Sequence, residues 1–259
     1  MRLRKRVAHW FLFWPSVALL RTGTWLVGLS DKPLGKVTLR PLFRLFCRLV
    51  VYARPLPLLN DQTQHVLPTE DLCSILKEQR LIAVIPCACR GRKSQCSRPH
   101  HKVHETDTCI SLGFAALAQI GSGLGKRISS LDAVALCGRA ADSGQVHHAL
   151  YSMGALAEVC NCCAETCSAI RAYESGIPEA VRSSGFVGIR GPDCDGCPTR
   201  EARVCEEICP YSQAQSDSGC LGCGLCARFC PRHAIQMERR PALRVARRPG
   251  GSATPARRI

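Results

Sequence analysis

Between residues 61 and 190 the apolar positions fall into short stretches whose period alternates between helix and strand. Pro68 and Thr69, followed by Glu70 and Asp71, provide the start and the acidic first turn of a helix running to about Gln79. Leu81-Ile82-Ala83-Val84-Ile85 has the length and continuity of a buried strand. Thr108 is placed to cap an apolar helix from Cys109 to Ile120, and Ser130 to cap another from Leu131 to Ala141. A further helix begins at Cys163 or Ala164 and stops near Gly176. Gln145 to Leu150 reads as extended and is expected beside the first strand. Residues 61–190 are thus predicted to form an α/β middle domain.

The two ends differ from this body. Residues 1–54 carry eleven basic residues against Asp31 alone, and residues 239–259 carry seven arginines and no acid. The formal net charge of +15 therefore sits at the termini, and the stretch between them is close to neutral. Val7 to Leu29 is apolar, carries tryptophans and is long enough to span a bilayer, but Pro15 and Arg21 interrupt it. No good small-residue cleavage site follows, which disfavours export. Arg40, Arg44 and Arg48 recur every four residues among Leu42, Phe43, Phe46, Leu49 and Val50, the pattern of a basic amphipathic helix over 41–53. Its alternatives are a helix lying on a membrane and a core helix with solvated arginines. Residues 1–60 are expected to be a helical segment that associates with an anionic membrane surface, spanning it or lying on it, in a cytoplasmic protein. Nucleic acid is disfavoured as a partner, because basic and stacking aromatic residues do not interleave. Residues 239–259, rich in Arg, Pro and Gly, are expected to be disordered.

Cysteine decides the chemistry. The chain has 19 cysteines in 259 residues, an odd number in a chain long enough to fold without staples. Metal ligation in a reducing compartment is favoured over a disulfide framework. Cys220-Leu-Gly-Cys223-Gly-Leu-Cys226-Ala-Arg-Phe-Cys230-Pro231 spaces its cysteines by two, two and three residues and closes on proline. Three thiolates from one tight loop wrap one face of a cubane cluster, Gly222 and Gly224 let the backbone curl around it, and Cys230 is expected to start a helix. Upstream, Cys194-Asp-Gly-Cys197 and Cys205-Glu-Glu-Ile-Cys209-Pro210 repeat the outer spacings with a middle gap of seven residues. Paired Cys-x-x-Cys also builds zinc sites, but three cysteines crowded at two-residue steps suit a cubane better.

Residues 194–235 resemble a two-[4Fe–4S] bacterial-type ferredoxin domain. The resemblance implies an α+β unit over 191–238 with two [4Fe–4S] clusters. One would be held by Cys194, Cys197, Cys205 and Cys230, the other by Cys220, Cys223, Cys226 and Cys209.

A second set of cysteines lies at the ends of the predicted middle-domain elements. Cys87 and Cys89 follow the strand in Pro86-Cys87-Ala88-Cys89-Arg90, Cys96 and Cys109 come next, and Cys160, Cys162, Cys163 and Cys167 precede a helix. Together with the C-terminal motifs, over about residues 65–237, these segments resemble a group of iron–sulfur proteins from anaerobic bacteria. That group joins Pro-Cys-x-Cys-Arg and Cys-Asn-Cys-Cys segments to a ferredoxin domain; here Glu165 and Thr166 stand where it usually has further cysteines. The eight thiols are a candidate further metal or Fe–S site, with a redox-active dithiol as the alternative. Cys162 and Cys163, being adjacent, are not both expected to bind one ion. Arg90 is placed to favour thiolates. Cys47, Cys73 and Cys137 read as inert packing residues. His100, His101, His104, His147 and His148 are candidate ligands or proton donors, each singly reading as a polar surface residue. Gly121-Ser-Gly-Leu-Gly125-Lys126 fails as a phosphate loop, because Ile120 stands where its first glycine belongs and Arg127 where Ser or Thr is required.

The expected function is one-electron relay through two [4Fe–4S] clusters and a further metal site, between redox partner proteins. Two other classes stay open: a reductase whose ferredoxin domain feeds a cysteine-rich active site, which would make the protein an iron–sulfur oxidoreductase, and a redox sensor.

Overall fold

The computed structural model describes residues 64–90, 96–97, 107–152, 155–197, 203–215 and 219–240. The expectations for residues 1–60, for Cys47, for His100, His101 and His104, and for the tail from 241 lie outside the described residues. Among the described residues, no helix is long and apolar enough to cross a membrane.

A seven-stranded sheet forms the body. Its strands are β1 (Gln64–Leu67), β2 (Ile82–Ile85), β3 (Cys109–Leu112), β4 (Lys126–Ile128), β5 (Val146–Ser152), β6 (Ala155–Cys162) and β7 (Val181–Arg182), in the order β4-β2-β3-β6-β5-β1-β7. Every pairing is antiparallel except β1 with β7. The middle region is thus mixed α/β, but its sheet is not the parallel kind that places sites only at strand ends. β5 pairs with β1 and β6 rather than with β2, which corrects the expected neighbour of Gln145–Leu150.

Helices α1 (Thr69–Lys77) and α3 (Ser130–Asp142) cover one face of the sheet. Leu72 and Leu76 of α1 meet Ala133, Leu136 and Cys137 of α3 over Ile82, Ile110, Leu112 and Val159. Each fully buried leucine contributes about 1.5–3 kcal/mol of transfer free energy. Ser129 begins α3 by a reciprocal capping box with Asp132, so the cap is one residue earlier than the sequence suggests. The apolar run Cys109–Ile120 is not one helix. It divides at Gly113, whose φ of +54° ends strand β3 and starts helix α2 (Gly113–Gly121).

The opposite face carries α2, α4 (Ser168–Glu174) and the C-terminal unit. That unit contains β8 (Phe186–Arg190), α5 (Val204–Glu207), α6 (Leu225–Phe229) and β9 (Ile235–Arg239), with β8 and β9 paired antiparallel. Ile208, Tyr211 and Leu225 share one core with Val66, Val146, Ile170, Ile177 and Val181. The C-terminal unit is therefore packed onto the sheet, with Arg228 bonded to Asp142 of α3 at 2.7 Å. Helix α6 contains Cys226 and ends at Phe229 with Cys230 as its C-cap, which corrects the expectation that Cys230 starts a helix.

Candidate metal centres

Strand alternation brings the middle-domain cysteines together. On β6, Cys160 and Cys162 point to one face while Val159 and Asn161 point to the other. Ile110 pairs with Val159, and continuing that register sets Cys109 beside Cys160. Cys109 also pairs with Ile85, two residues before Cys87. Cys167 caps α4, and its Sγ lies 3.3 Å from that of Cys162. Arg90, almost wholly buried, holds the Cys87–Cys89 loop against the sheet by donating to Gln145 Oε1 at 2.8 Å and to the Asn161 carbonyl at 2.6 Å. Its visible role is to position the loop.

Six of the eight candidate thiols close a ring. Cys87 neighbours Cys109, Cys109 neighbours Cys160, Cys160 neighbours Cys162, Cys162 meets Cys167 at 3.3 Å, Cys167 neighbours Cys89, and Cys89 returns to Cys87, each pair close enough for one thiol to shift the proton affinity of the other. Hydrogen bonds from Cys167 and Cys87 lower the pKa of Cys89, and bonds from Cys109 and Cys162 lower that of Cys160. Cys87, Cys109 and Cys162 are raised, chiefly by the bonds they give to their neighbours. Cys167, which its bond with Cys162 lowers, is raised on balance by its bond to Cys89 and by burial.

Cys163 is not one of the six, and Cys96 is half-buried beside Ser97, whose amide donates to the Glu165 carboxylate in the turn before α4. Cys163 is buried, and its carbonyl accepts from the amides of Thr166 and Cys167 in the turn before α4. Cys137 is fully buried, and burial pushes its thiol up to about 12; Cys73 is half-buried on α1 and is also raised by burial. Both suit packing residues.

His147 and His148 are not surface residues: both are buried, on opposite faces of β5. His147 bonds Asn161 Oδ1 through Nδ1 at 2.6 Å and Thr69 Oγ1 through Nε2 at 3.1 Å. His148 pairs across the sheet with Cys160, on the cysteine face. Its Nδ1 bonds Gln64 Oε1, and its Nε2 bonds the Tyr211 hydroxyl at 2.5 Å. Burial holds His147 down to about 4 and His148, with help from its neighbour His147, down to about 3, so both rings are neutral at pH 7. Among the described residues, His148, Cys162 and Cys167 are the set of His, Cys, Asp or Glu side chains whose ligand atoms all lie within 4.8 Å of one another.

The cysteines of the C-terminal unit gather in two sets. Cys197 lies beside Cys205, Cys194 and Cys230. Cys223 lies beside Cys209, Cys226 and Cys220. Burial raises Cys223 well above its ordinary value and pushes Cys226 to about 11. Local bonds shape these loops. The Asp195 carboxylate accepts from the Cys197 amide at 3.1 Å and pairs with Arg232 at 3.1 Å, tying the Cys194 loop to the residues after Cys230. Cys209 Sγ accepts from the Gln213 amide and Cys230 Sγ from the Ala234 amide, each at 3.4 Å. Such N–H···S bonds are one lever on cluster potential. Gly222, at φ +73°, is pressed so closely on Ser184 and Phe186 that a Cβ there would stand 2.3 Å from Ser184 Oγ.

These loops fit iron–sulfur ligation in donor chemistry and backbone shape. Residues 216–236 match the 4Fe-4S binding domain family. The match covers Cys220, Cys223, Cys226 and Cys230, and it supports ferredoxin-type [4Fe–4S] binding and iron–sulfur electron transfer in general. No curated protein and no solved structure matches the chain.

Tyr211, Gln64 and Asn161 are functional-site residues that sequence reading did not single out. Tyr211 carried one faint signal, its place two residues after Cys209. Burial, then the nearby Cys223, Cys162, Cys167 and Cys209, hold its hydroxyl well above the ordinary tyrosine value. It therefore stands between the C-terminal cysteines and the ring.

Proposed function

We propose that the protein relays single electrons through two [4Fe–4S] clusters, one on Cys194, Cys197, Cys205 and Cys230 and the other on Cys209, Cys220, Cys223 and Cys226, with a further metal site on the cysteine face of the sheet. The observation that carries this reading is the interleaving of the two sets: Cys230, last in sequence, lies beside Cys197, and Cys209 lies beside Cys223. Two linked clusters require that exchange, since the fourth cysteine of each motif ligates the other cluster.

Spacing supports cubanes over zinc. Two sulfurs on one zinc ion are at most about 4.6 Å apart, twice the Zn–S bond. Among the described residues, no three of these eight sulfurs are mutually within 4.8 Å. The clusters supply one-electron transfer; the chain supplies thiolates, N–H···S bonds at Cys209 and Cys230, and the packing of the unit onto the sheet.

The same contact supports a second reading, a reductase in which electrons pass toward the ring thiols. Tyr211 reaches His148 on the ring's face of the sheet, and a relay and a reductase share that path. In either case the donor and acceptor are other redox proteins, and residues 1–60 provide attachment to an anionic membrane surface.

Iron, acid-labile sulfide and electron paramagnetic resonance on the anaerobically purified full chain test the proposal. About eight irons with matching sulfide in the two C-terminal sets are expected. Zinc in place of iron and sulfide, or no loss of iron in a Cys220→Ser/Cys226→Ser variant, would overturn it.

A further inference from the structure

We infer that the ring of Cys87, Cys89, Cys109, Cys160, Cys162 and Cys167 is a polynuclear iron–sulfur centre held by these six thiolates and joined to the nearer C-terminal cluster through His148 and Tyr211. The inference deepens the relay reading and rests on it only for the source of electrons.

Convergence is the first ground. Four separate elements each deliver thiols to one place: the loop after β2, the start of β3, alternate positions of β6 and the first turn of α4. Here each thiol of the ring has two others close enough to shift its proton affinity, and Cys162 and Cys167 meet at 3.3 Å.

Number is the second ground. A single tetrahedral ion takes four thiolates, so a mononuclear site would leave two of the six without a metal. Six contiguous thiolates instead suit a centre with more than one metal. Burial makes that choice matter: Cys109, Cys162 and Cys167 are each at most 6 % exposed, and uncompensated thiolates there would be costly.

His148 completes the site without ligating it. Both of its ring nitrogens are engaged, Nδ1 with Gln64 and Nε2 with Tyr211. Gln64 Oε1 in turn lies 4.0 Å from Cys162 Sγ and 3.9 Å from Cys167 Sγ. The imidazole is thus fixed between the ring and Tyr211, itself two residues from Cys209. That connection favours a redox-active iron centre over zinc, which has no electron to give or take. One electron passing along it oxidises the C-terminal donor cluster by one equivalent and reduces the ring centre by one.

The experiment compares the full chain, reconstituted anaerobically with ferrous iron and sulfide, with Cys109→Ser/Cys160→Ser and with Cys73→Ser. The unmodified chain is expected to hold more than about eight irons, the double variant to fall to about eight and lose one paramagnetic component on reduction, and Cys73→Ser to match the unmodified chain. Cys87→Ser, in the loop outside the sheet, gives the same reading should the double variant not fold. Thiol alkylation mapped by mass spectrometry adds a readout independent of iron: all six ring cysteines are protected in the reconstituted protein and labelled after chelation. Iron and spectra unchanged in both ring variants, or zinc in the ring, would overturn the inference. Failure of the two-cluster reading is separately visible, as iron unaffected by Cys220→Ser/Cys226→Ser while the ring variants still lose theirs.

Discussion

The Tyr211 hydroxyl meets His148 Nε2 at 2.5 Å, with the two rings stacked at 6.2 Å between centroids. Tyr173 packs edge-on against Tyr211 at 5.6 Å, so the tyrosine is held from two sides. The contact ties the loop after Cys209 to the interior strand β5. It is a polar bond inside an apolar core, which makes both partners expensive to orphan.

Tyr211→Phe keeps the ring and removes the hydroxyl, leaving a buried imidazole nitrogen without its partner. The expected cost is about 1–3 kcal/mol of stability. Thermal or denaturant unfolding of the purified holoprotein measures it. Iron content should not change, because Tyr211 supplies no thiolate. Loss of iron in proportion to the loss of stability would assign Tyr211 to holding the Cys209 loop rather than to joining two sites.

Arg90→Met removes the two hydrogen bonds that seat the Cys87–Cys89 loop and leaves Gln145 Oε1 and the Asn161 carbonyl short of a donor. Bonds from a charged donor are worth about 1.5–3 kcal/mol each, so a loss of roughly 3 kcal/mol is expected. Both bonds leave the single nitrogen Nη2, and Arg90→Lys should recover only part of the loss, since the shorter lysine chain does not carry its ammonium to that position. Denaturant midpoints of the three proteins give the order. In the chelated protein, Cys87 and Cys89 should also alkylate faster in Arg90→Met than in the unmodified chain, while Cys162 keeps its rate.

Gly222 and Gly224 both have positive φ, +73° and +82°, yet their surroundings differ. A Cβ on Gly222 meets the Phe186 carbonyl oxygen at 2.4 Å, which is backbone and cannot step aside, whereas a Cβ on Gly224 meets nothing within 4 Å. Gly224→Ala should therefore cost only the left-handed conformation, about 1–2 kcal/mol, with normal iron loading. Gly222→Ala must separate the Cys220–Cys223 loop from β8, and should lower iron occupancy of the second set. Iron per chain after identical reconstitution distinguishes the two; equal loading would show that the loop can shift to admit a methyl group.

The parts legible in the sequence were those that local chemistry specifies. Helices α1 and α3 carry caps and helical periodicity, and the Cys220–Cys230 run carries its own loop geometry. Cys109–Ile120 misled because a buried four-residue strand and a buried helix are both uniformly apolar, so period cannot separate them. The adjacent histidines misled for another reason. Neighbours on a strand face opposite ways, and each is satisfied by partners far along the chain: Thr69 and Asn161 for His147, Gln64 and Tyr211 for His148. The ring was half visible. Eight candidate thiols could be named, but only the β3–β6 register and the Cys167 cap select the six that meet, because both are tertiary pairings.

The buried histidines predict an acid-sensitive fold. His147 titrates near 4 in the folded protein because burial disfavours its charged form, while an exposed histidine in the unfolded chain titrates near 6.5. The unfolded state therefore binds the proton first. This contribution to stability is intact above about pH 6.5 and is lost as pH falls from there toward the folded value. Between pH 7 and 5.5 the loss from His147 alone should be about 1 kcal/mol, with a similar share from His148, whose folded value is about 3. His147→Gln, which retains groups able to face Asn161 and Thr69 but does not titrate, should lose only the His148 share over the same interval. Denaturant unfolding at pH 7.0, 6.25 and 5.5 on both proteins gives the slopes. Equal slopes would mean that His147 is protonated as readily folded as unfolded, and that its bonds to Asn161 and Thr69 outweigh its burial.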